Sequence, residues 1–366
     1  MKKLKVASIF SGIGSFEFAL KRLSIDHEIV FAVDNGNISI DYNLERELSF
    51  VRNLKSNLEK KVFVDELYSK KSKKHNYVKK SYLANYNLEE DNFFLDVKLF
   101  DATPYKGKID ILVGGSPCQS FSSVGSKGGL DDARGTLFYD YARIINESKP
   151  KVFIFENVRG LFTHDKGKTW EVIRKIFDEL GYDYKFEVLN SVDYGIPQNR
   201  RRVFVVGFLK NGDSFRFPEK KKLEYKMQNF LIDKVADGNF RFDVNGNLKI
   251  LNQGGIIDEK YFLSEKLIKY VMSTGTKNFH SRIEIDLAIA RTILSTMGNR
   301  HRAGVDNYVK SNGRIRMLSE REALRLMGFT DDFKIVVSRA QLYKQAGNSI
   351  VVDVFINIIK EIIKVK

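Results

Sequence analysis

Five short runs rich in Val, Ile and Phe constrain this chain most: residues 5–10, 28–34, 109–115, 151–158 and 202–208. Each is too short for a helix and too uniformly apolar for a strand with one wet face, so each reads as a strand buried on both sides. Between the last two, Trp170, Val172, Ile173, Ile176, Phe177 and Leu180 follow helical spacing and Gly181 terminates the pattern. Tyr182, Tyr184, Phe186 and Val188 then alternate as in a half-exposed strand. Strands alternating with helices predict a doubly wound α/β sheet. Toward the end, Ser319-Glu320-Arg321-Glu322 is a capping box for a helix that Gly328 stops. A last helix is expected from about Ser349, with Val351, Phe355, Ile358 and Ile362 on one face.

Residues 211–307 lack this rhythm and are richer in Lys, Asn and Gly. They are expected to form a second, smaller domain between a main domain at 1–210 and a C-terminal part, 308–366, that returns to it. With 43% apolar residues the chain can fill such a core. Its formal net charge of +15 favours a polyanionic partner without implying sequence specificity. Much of the excess lies within residues 46–80, expected to be an inserted basic segment. The start, MKKLKVASIF, mimics a signal peptide, but the apolar stretch carries two glycines and Glu17 follows without a small-residue cleavage site. No apolar run approaches the roughly 18 residues of a membrane span. A single cysteine precludes an intramolecular disulfide and suits a reducing compartment, so a soluble cytoplasmic protein is expected.

The first strand runs into Phe10-Ser11-Gly12-Ile13-Gly14, where Gly12 and Gly14 allow backbone amides close to a ligand. A dinucleotide fingerprint needs a third glycine, and position 17 is Glu. Asp34 ends the second strand, where such folds hold a ribose through its hydroxyls. A nucleoside without a pyrophosphate fits S-adenosylmethionine; a tight strand-to-helix turn is the plain alternative. The only cysteine, Cys118, follows Pro117 on the loop GGSPCQSFSS. An inert buried thiol would suit Cys118 alone. On a glycine- and serine-rich loop at a strand end, however, it is accessible and held in a fixed direction, as a nucleophile must be. Glu156 ends a further strand, so Phe10, Asp34, Cys118 and Glu156 are expected around one crevice beyond the carboxyl ends of the sheet. Zinc-deaminase chemistry is excluded, because position 121 is Phe and the five histidines are scattered, and no metal site is readable.

FSGIG at 10–14, Asp34, GGSPCQSFSSVG at 114–125, FENV at 155–158, QNRRR at 198–202 and GNSI at 347–350 stand in the order of one family. The chain resembles the C5-cytosine DNA methyltransferases of bacterial restriction–modification systems. That resemblance implies a Rossmann-like, S-adenosylmethionine-dependent methyltransferase sheet with a smaller target-recognition domain. It implies Cys118 as the nucleophile that adds to C6 of a flipped-out cytosine, Glu156 as the acid at N3, Arg202 at O2, and Arg200 ordering the site. The same carry-over makes Phe10, Gly12, Gly14, Asp34, Asp101, Pro117, Asn348 and Ile350 cofactor contacts, Asp101 at the adenine amino group, with S-adenosylhomocysteine as product. Gln119, Ser123 and Arg134, on a segment like the family's closing loop, are expected to contact DNA. So are Arg291 and Thr292 in ARTIL, an element resembling the one that closes the recognition region. Double-stranded DNA is the expected partner, with a cognate endonuclease possible in the same system, no membrane, and a monomeric state.

One departure stands out: family members have a short connection between the acidic residue and the third motif, whereas here residues 46–80 intervene. They are either an added DNA-backbone contact or a solvated charged insertion. Rival readings are the same chemistry on tRNA, against which the long variable region speaks, and a DNA-binding module without catalysis, against which intact Pro117-Cys118, Glu156 and Arg202 speak. A nicotinamide oxidoreductase is disfavoured by the failed glycine fingerprint.

Overall fold

All five apolar runs become strands of one central sheet: β1 (Leu4–Ile9), β2 (His27–Val33), β4 (Ile111–Gly114), β5 (Val152–Val158) and β7 (Arg201–Phe208). The computed structural model describes residues 3–116, 136–243, 248–251, 253–273, 275–276, 279–280, 283–299, 301 and 304–365. Two further strands complete the sheet, β3 (Phe93–Phe94) and the alternating β6 (Asp183–Asn190), giving the order β3-β2-β1-β4-β5-β7-β6. Strands β3 through β5 run parallel, while β7 is antiparallel to both of its neighbours. The chain leaves β1 toward β2 on one side and meets β4 on the other, so the order reverses beside β1 and opens a crevice at the carboxyl ends.

Uniform apolarity follows from burial on both faces. Val6, Ile154 and Val206 belong to one core cluster, and their chain neighbours Ala7, Phe153 and Val205 to the cluster on the opposite face. Helices α1 (Ser15–Arg22) and α10 (Val352–Lys364) cover the first face, where Phe16 meets Phe355 edge-on at 5.4 Å. On the second, α5 (Leu137–Ser148) and α6 (Lys168–Glu179) bring Phe138 against Phe155 and Phe177. The capping box forms as read: Ser319 and Glu322 exchange backbone hydrogen bonds at the start of α8 (Glu320–Leu326), and Gly328 turns away with φ +84°.

The basic segment is helical: α2 (Leu44–Asn53), α3 (Asn57–Lys71) and α4 (Tyr77–Asn85) follow β2. They enclose a small core of Ile38, Val51, Val64, Tyr68 and Leu99. Within 211–307 the described elements are short: β8 (Phe240–Phe242) pairs with β9 (Leu248–Ile250), α7 (Glu265–Val271) follows, and β10 (Gly275–Thr276) pairs with β11 (Phe279–His280). The chain then forms the hairpin β12 (Tyr308–Ser311) and β13 (Arg314–Met317), α8, and α9 (Arg339–Asn348). Fully buried Arg316 binds Glu322 and Asp233, while Arg325 reaches the carbonyls of Phe230, Val235 and Ala236. Paired and hydrogen-bonded cations of this kind tolerate burial where isolated ones do not. Among the described residues no helix is long and apolar enough to cross a membrane.

Candidate active site

The glycine loop leaves β1 through three left-handed residues, Phe10 (φ +53°), Gly12 (+54°) and Gly14 (+75°). Glycines adopt this freely; Phe10 does so at a cost of about 1–2 kcal/mol, which marks the position as one held in place by its surroundings. The loop is tied to the second strand: Asp34 Oδ2 accepts the Gly12 amide at 2.9 Å and Oδ1 the Gly36 amide at 2.8 Å. Burial pushes the Asp34 carboxyl above its ordinary range, and the two amides oppose that shift. Each carboxylate oxygen keeps a second lone pair, the arrangement a vicinal diol requires. A cavity of about 320 Å³ opens here, lined among others by Phe10, Asp34, Ile38, Tyr42, Tyr68 and Asp96. The buried Ser11 hydroxyl, in the neighbouring lobe that shares Phe10, finds no partner among the described residues.

Asp101 is not in that cavity, which corrects the sequence reading. Its Oδ2 accepts from Lys60 Nζ of α3 at 2.5 Å and its Oδ1 from Thr103 N and Oγ1, and it lines a narrow crevice with Lys60 and Val64. Burial would raise this carboxyl, yet Lys60 and Thr103 hold it below its usual range. Asp41 and Asp96 line the cavity with Phe10 and Asp34, and Asp96 lies two residues past β3 as Asp34 is one past β2. Its Oδ2 accepts the hydroxyls of Tyr42 at 2.6 Å and Tyr68 at 2.9 Å, and its Oδ1 the Lys98 amide at 2.9 Å.

A smaller lobe of about 70 Å³ shares Phe10 and is lined by Gly115, Glu156, Asn348 and Ile350. Antiparallel register explains its charged pair. Glu156 stands opposite Phe204, two residues beyond Arg202, so both side chains share a face and Arg202 Nε lies 3.1 Å from Glu156 Oε1. Burial raises the Glu156 carboxyl above its normal range, partly offset by Arg202 and Arg200. Only glycine fits at 115, because a Cβ there would lie 2.7 Å from the Glu156 carbonyl oxygen and 2.9 Å from Oε2. Asn157 Nδ2 donates to the Ser116 carbonyl at 2.9 Å, so β5 fixes the backbone that enters Pro117 and Cys118. Pro117, Cys118, Gln119, Ser123 and Arg134 lie outside the described residues.

Buried Arg200 donates to the carbonyls of Ile293, Gly347 and Ser349. Burial lowers its pKa to about 9, still above neutrality, so the cation persists. Arg291 and Thr292, expected at DNA, have internal partners: Arg291 Nη1 donates to the Glu284 and Asp306 carbonyls, and Thr292 Oγ1 to Asn199. Sequence reasoning missed fully buried Gln198, whose amide donates to Leu326 O and accepts from Ile293 N, joining the arginine loop to two distant segments. It missed Asp96 as well; the signal was an acid just after a strand edge, hidden because β3 has only two residues.

Residues 48–364 match the family model described as C-5 cytosine-specific DNA methylase. The chain is 30% identical to the orphan methyltransferase M.SPRI of Bacillus phage SPR, over 99% of this chain and 98% of that one. It is 38% identical to the type II methyltransferase M.HhaI of Haemophilus parahaemolyticus, over 67% and 73%. Among solved structures it resembles the Dnmt2 methyltransferase of S. pombe (TM-score 0.65, 16% identity, 98% and 97% covered) and the EhMeth methyltransferase of Entamoeba histolytica (0.66, 16%, 99% and 98%), a likeness of fold. The crevice at the carboxyl ends, the Glu156–Arg202 pair and these matches agree: the chain belongs to the C-5 cytosine-specific DNA methylase family, and is a DNA methyltransferase of the restriction–modification type.

Proposed function

We propose that the chain methylates C5 of a flipped-out cytosine in one duplex sequence, with S-adenosylmethionine as donor and a transient covalent bond from Cys118 to C6. The observation that carries this reading is the half-buried Glu156–Arg202 pair placed against Gly115, three residues before the only thiol. Cytosine C5 is a poor nucleophile, so the ring must be activated. The Cys118 thiolate adds to C6 and pushes the electron pair of the C5–C6 bond toward C5 and N3. Glu156, whose carboxyl burial pushes above its ordinary range, gives its proton to N3, and Arg202 stabilises charge at O2. Once C5 carries the methyl group, loss of the C5 proton to a base expels the Cys118 thiolate, and return of the N3 proton to Glu156 restores the neutral aromatic ring. A stacked base cannot reach such a pocket, so the target leaves the duplex.

When bound, S-adenosylmethionine supplies an electrophilic methyl group. Asp34, with a free lone pair on each oxygen, suits its ribose diol, Phe10 its base, and Ser11 and the open space above Gly12 its close approach. Asn348 and Ile350 close the far side next to Glu156. The net charge of +15 suits a duplex partner. Residues 211–307 are assigned to target recognition, with 1–210 and 308–366 forming the catalytic unit. We further assign the chain to the cytoplasm, as a monomer and as the modification partner of an endonuclease. Bisulfite sequencing of plasmid DNA from cells expressing the protein tests the core of this reading. Protected cytosines in one recurrent context are expected. Unmodified DNA together with labelled methyl groups in tRNA would overturn it.

A further inference from the structure

The inserted helices do more than add charge: they and the residues flanking them hold the glycine loop and the acids of the large cavity. Tyr86, which follows α4, donates to the carbonyls of Ile13 and Gly14, and a Cβ on Gly14 would collide with its ring at 2.3 Å. Asn76, the cap of α4, donates to the Asp34 carbonyl at 2.8 Å. Tyr68, on α3, and Tyr42, just before α2, both donate to Asp96 Oδ2. Burial and the Asp96 charge push both phenols above their ordinary pKa, so each is protonated and can only donate here.

A carboxylate offers about four lone-pair directions. Two on Oδ2 are taken by the tyrosines and one on Oδ1 by the Lys98 amide, which leaves one acceptor direction, on Oδ1. A carboxylate clamped on one oxygen cannot rotate, so that last direction is fixed relative to Phe10. An amino group would be accepted there. A ring carbonyl in its place would face the acid's charge with no proton between them.

Building on the proposed donor reading, we propose that Tyr42 and Tyr68 are positioning residues that lock Asp96 to select a 6-amino purine. Tyr68 of the basic segment and Tyr42 just before it thereby set which methyl donor the enzyme accepts.

The test compares S-adenosylhomocysteine with its 6-oxo analogue, S-inosylhomocysteine, by titration calorimetry on the full-length protein. Wild type should prefer the amino form. Tyr42→Phe and Tyr68→Phe should each weaken S-adenosylhomocysteine about tenfold, the size of one charge-assisted hydrogen bond, and leave the inosyl analogue within about twofold. Val51→Ala, which loosens the same small core without touching Asp96, should lower thermal stability and keep the amino-over-oxo ratio. Should either phenylalanine variant fold poorly, the other carries the same ratio test. A ratio unchanged in the phenylalanine variants, or both ligands weakened equally, overturns the positioning role while the donor reading stands. Failure of wild type to bind S-adenosylhomocysteine overturns the donor reading itself.

Discussion

Replacing Glu156 with Gln keeps the shape of the carboxyl, and its hydrogen-bonding reach toward Arg202, while removing the proton that the reaction needs. Two structural effects on stability oppose one another. Arg202 loses an ionic partner 3.1 Å away, but the desolvation that raises the Glu156 pKa is relieved. Their difference should stay within about 1–2 kcal/mol, since Arg202 retains some exposure to water. Proton donation in the transition state is worth far more, roughly 10² to 10⁴ in rate. Single-turnover methylation of a duplex bearing the target should therefore slow by about 10²- to 10³-fold, with DNA affinity changed only a few-fold. The pH profile carries the sign. A general acid works while protonated, and burial moves this carboxyl upward, so the wild-type rate should fall as pH rises through the raised pKa. Thiolate formation at Cys118 supplies a separate limb that rises with pH. The variant should lose the falling limb and keep the rising one. Equal losses in binding and rate, or a falling limb that persists in the variant, would refute the acid's role and leave Glu156 a structural partner of Arg202.

Three further outcomes follow from particular contacts. Cys118→Ser should abolish methyl transfer while sparing the melting temperature and most of the DNA affinity, and wild type should remain covalently attached to DNA carrying 5-fluorocytosine, visible as a shifted band on denaturing gels. Neutralising Lys70, Lys71, Lys73 and Lys74 together should flatten the salt dependence of duplex binding if these exposed cations meet phosphates; an unchanged slope in filter binding would leave α3 to its role beside the cavity. Glu322→Ala strips buried Arg316 of its main anion and Ile232 N of an acceptor, and should cost about 3–5 kcal/mol in chemical denaturation.

What could be read from the sequence follows from how each element is buried. Strands covered on both faces leave uninterrupted apolar text, and all five were legible for that reason. Glu156 and Arg202 stood out as candidates because each is embedded in a distinctive string, FENV and QNRRR, and the structure pairs them. Asp101 was misread because its neighbourhood, LFDAT, offers an acid near a turn, and nothing local distinguishes an acid facing a cavity from one facing Lys60. Only the three-dimensional placement of α3 decides that. The internal partners of Arg291 and Thr292 were hidden for a similar reason. An arginine can read a guanine edge or cap a carbonyl with equal chemical aptness, and the choice depends on chain segments remote in sequence.

The same remoteness explains why the arginine loop is built as it is. Arg202 can face Glu156 only if the turn before β7 is rigid, and Asn190 and Ser191 close that turn through hydrogen bonds to Gln198 and Arg200. Further anchors come from three distant stretches. Asn199 N and Pro197 O pair with Ala290, Gln198 spans Ile293 and Leu326, and Arg200 collects the carbonyls of Ile293, Gly347 and Ser349. Gly347 leaves no room for a side chain, because a Cβ would lie 2.0 Å from the Ser295 amide. The segment at 290–295 is thus pressed between the arginine loop and the GNSI turn, which lines the same lobe as Glu156. A substitution that displaced residues 290–295 would move Arg202 and Asn348 together, so the end of the 211–307 region and the Glu156–Arg202 pair form one mechanical unit.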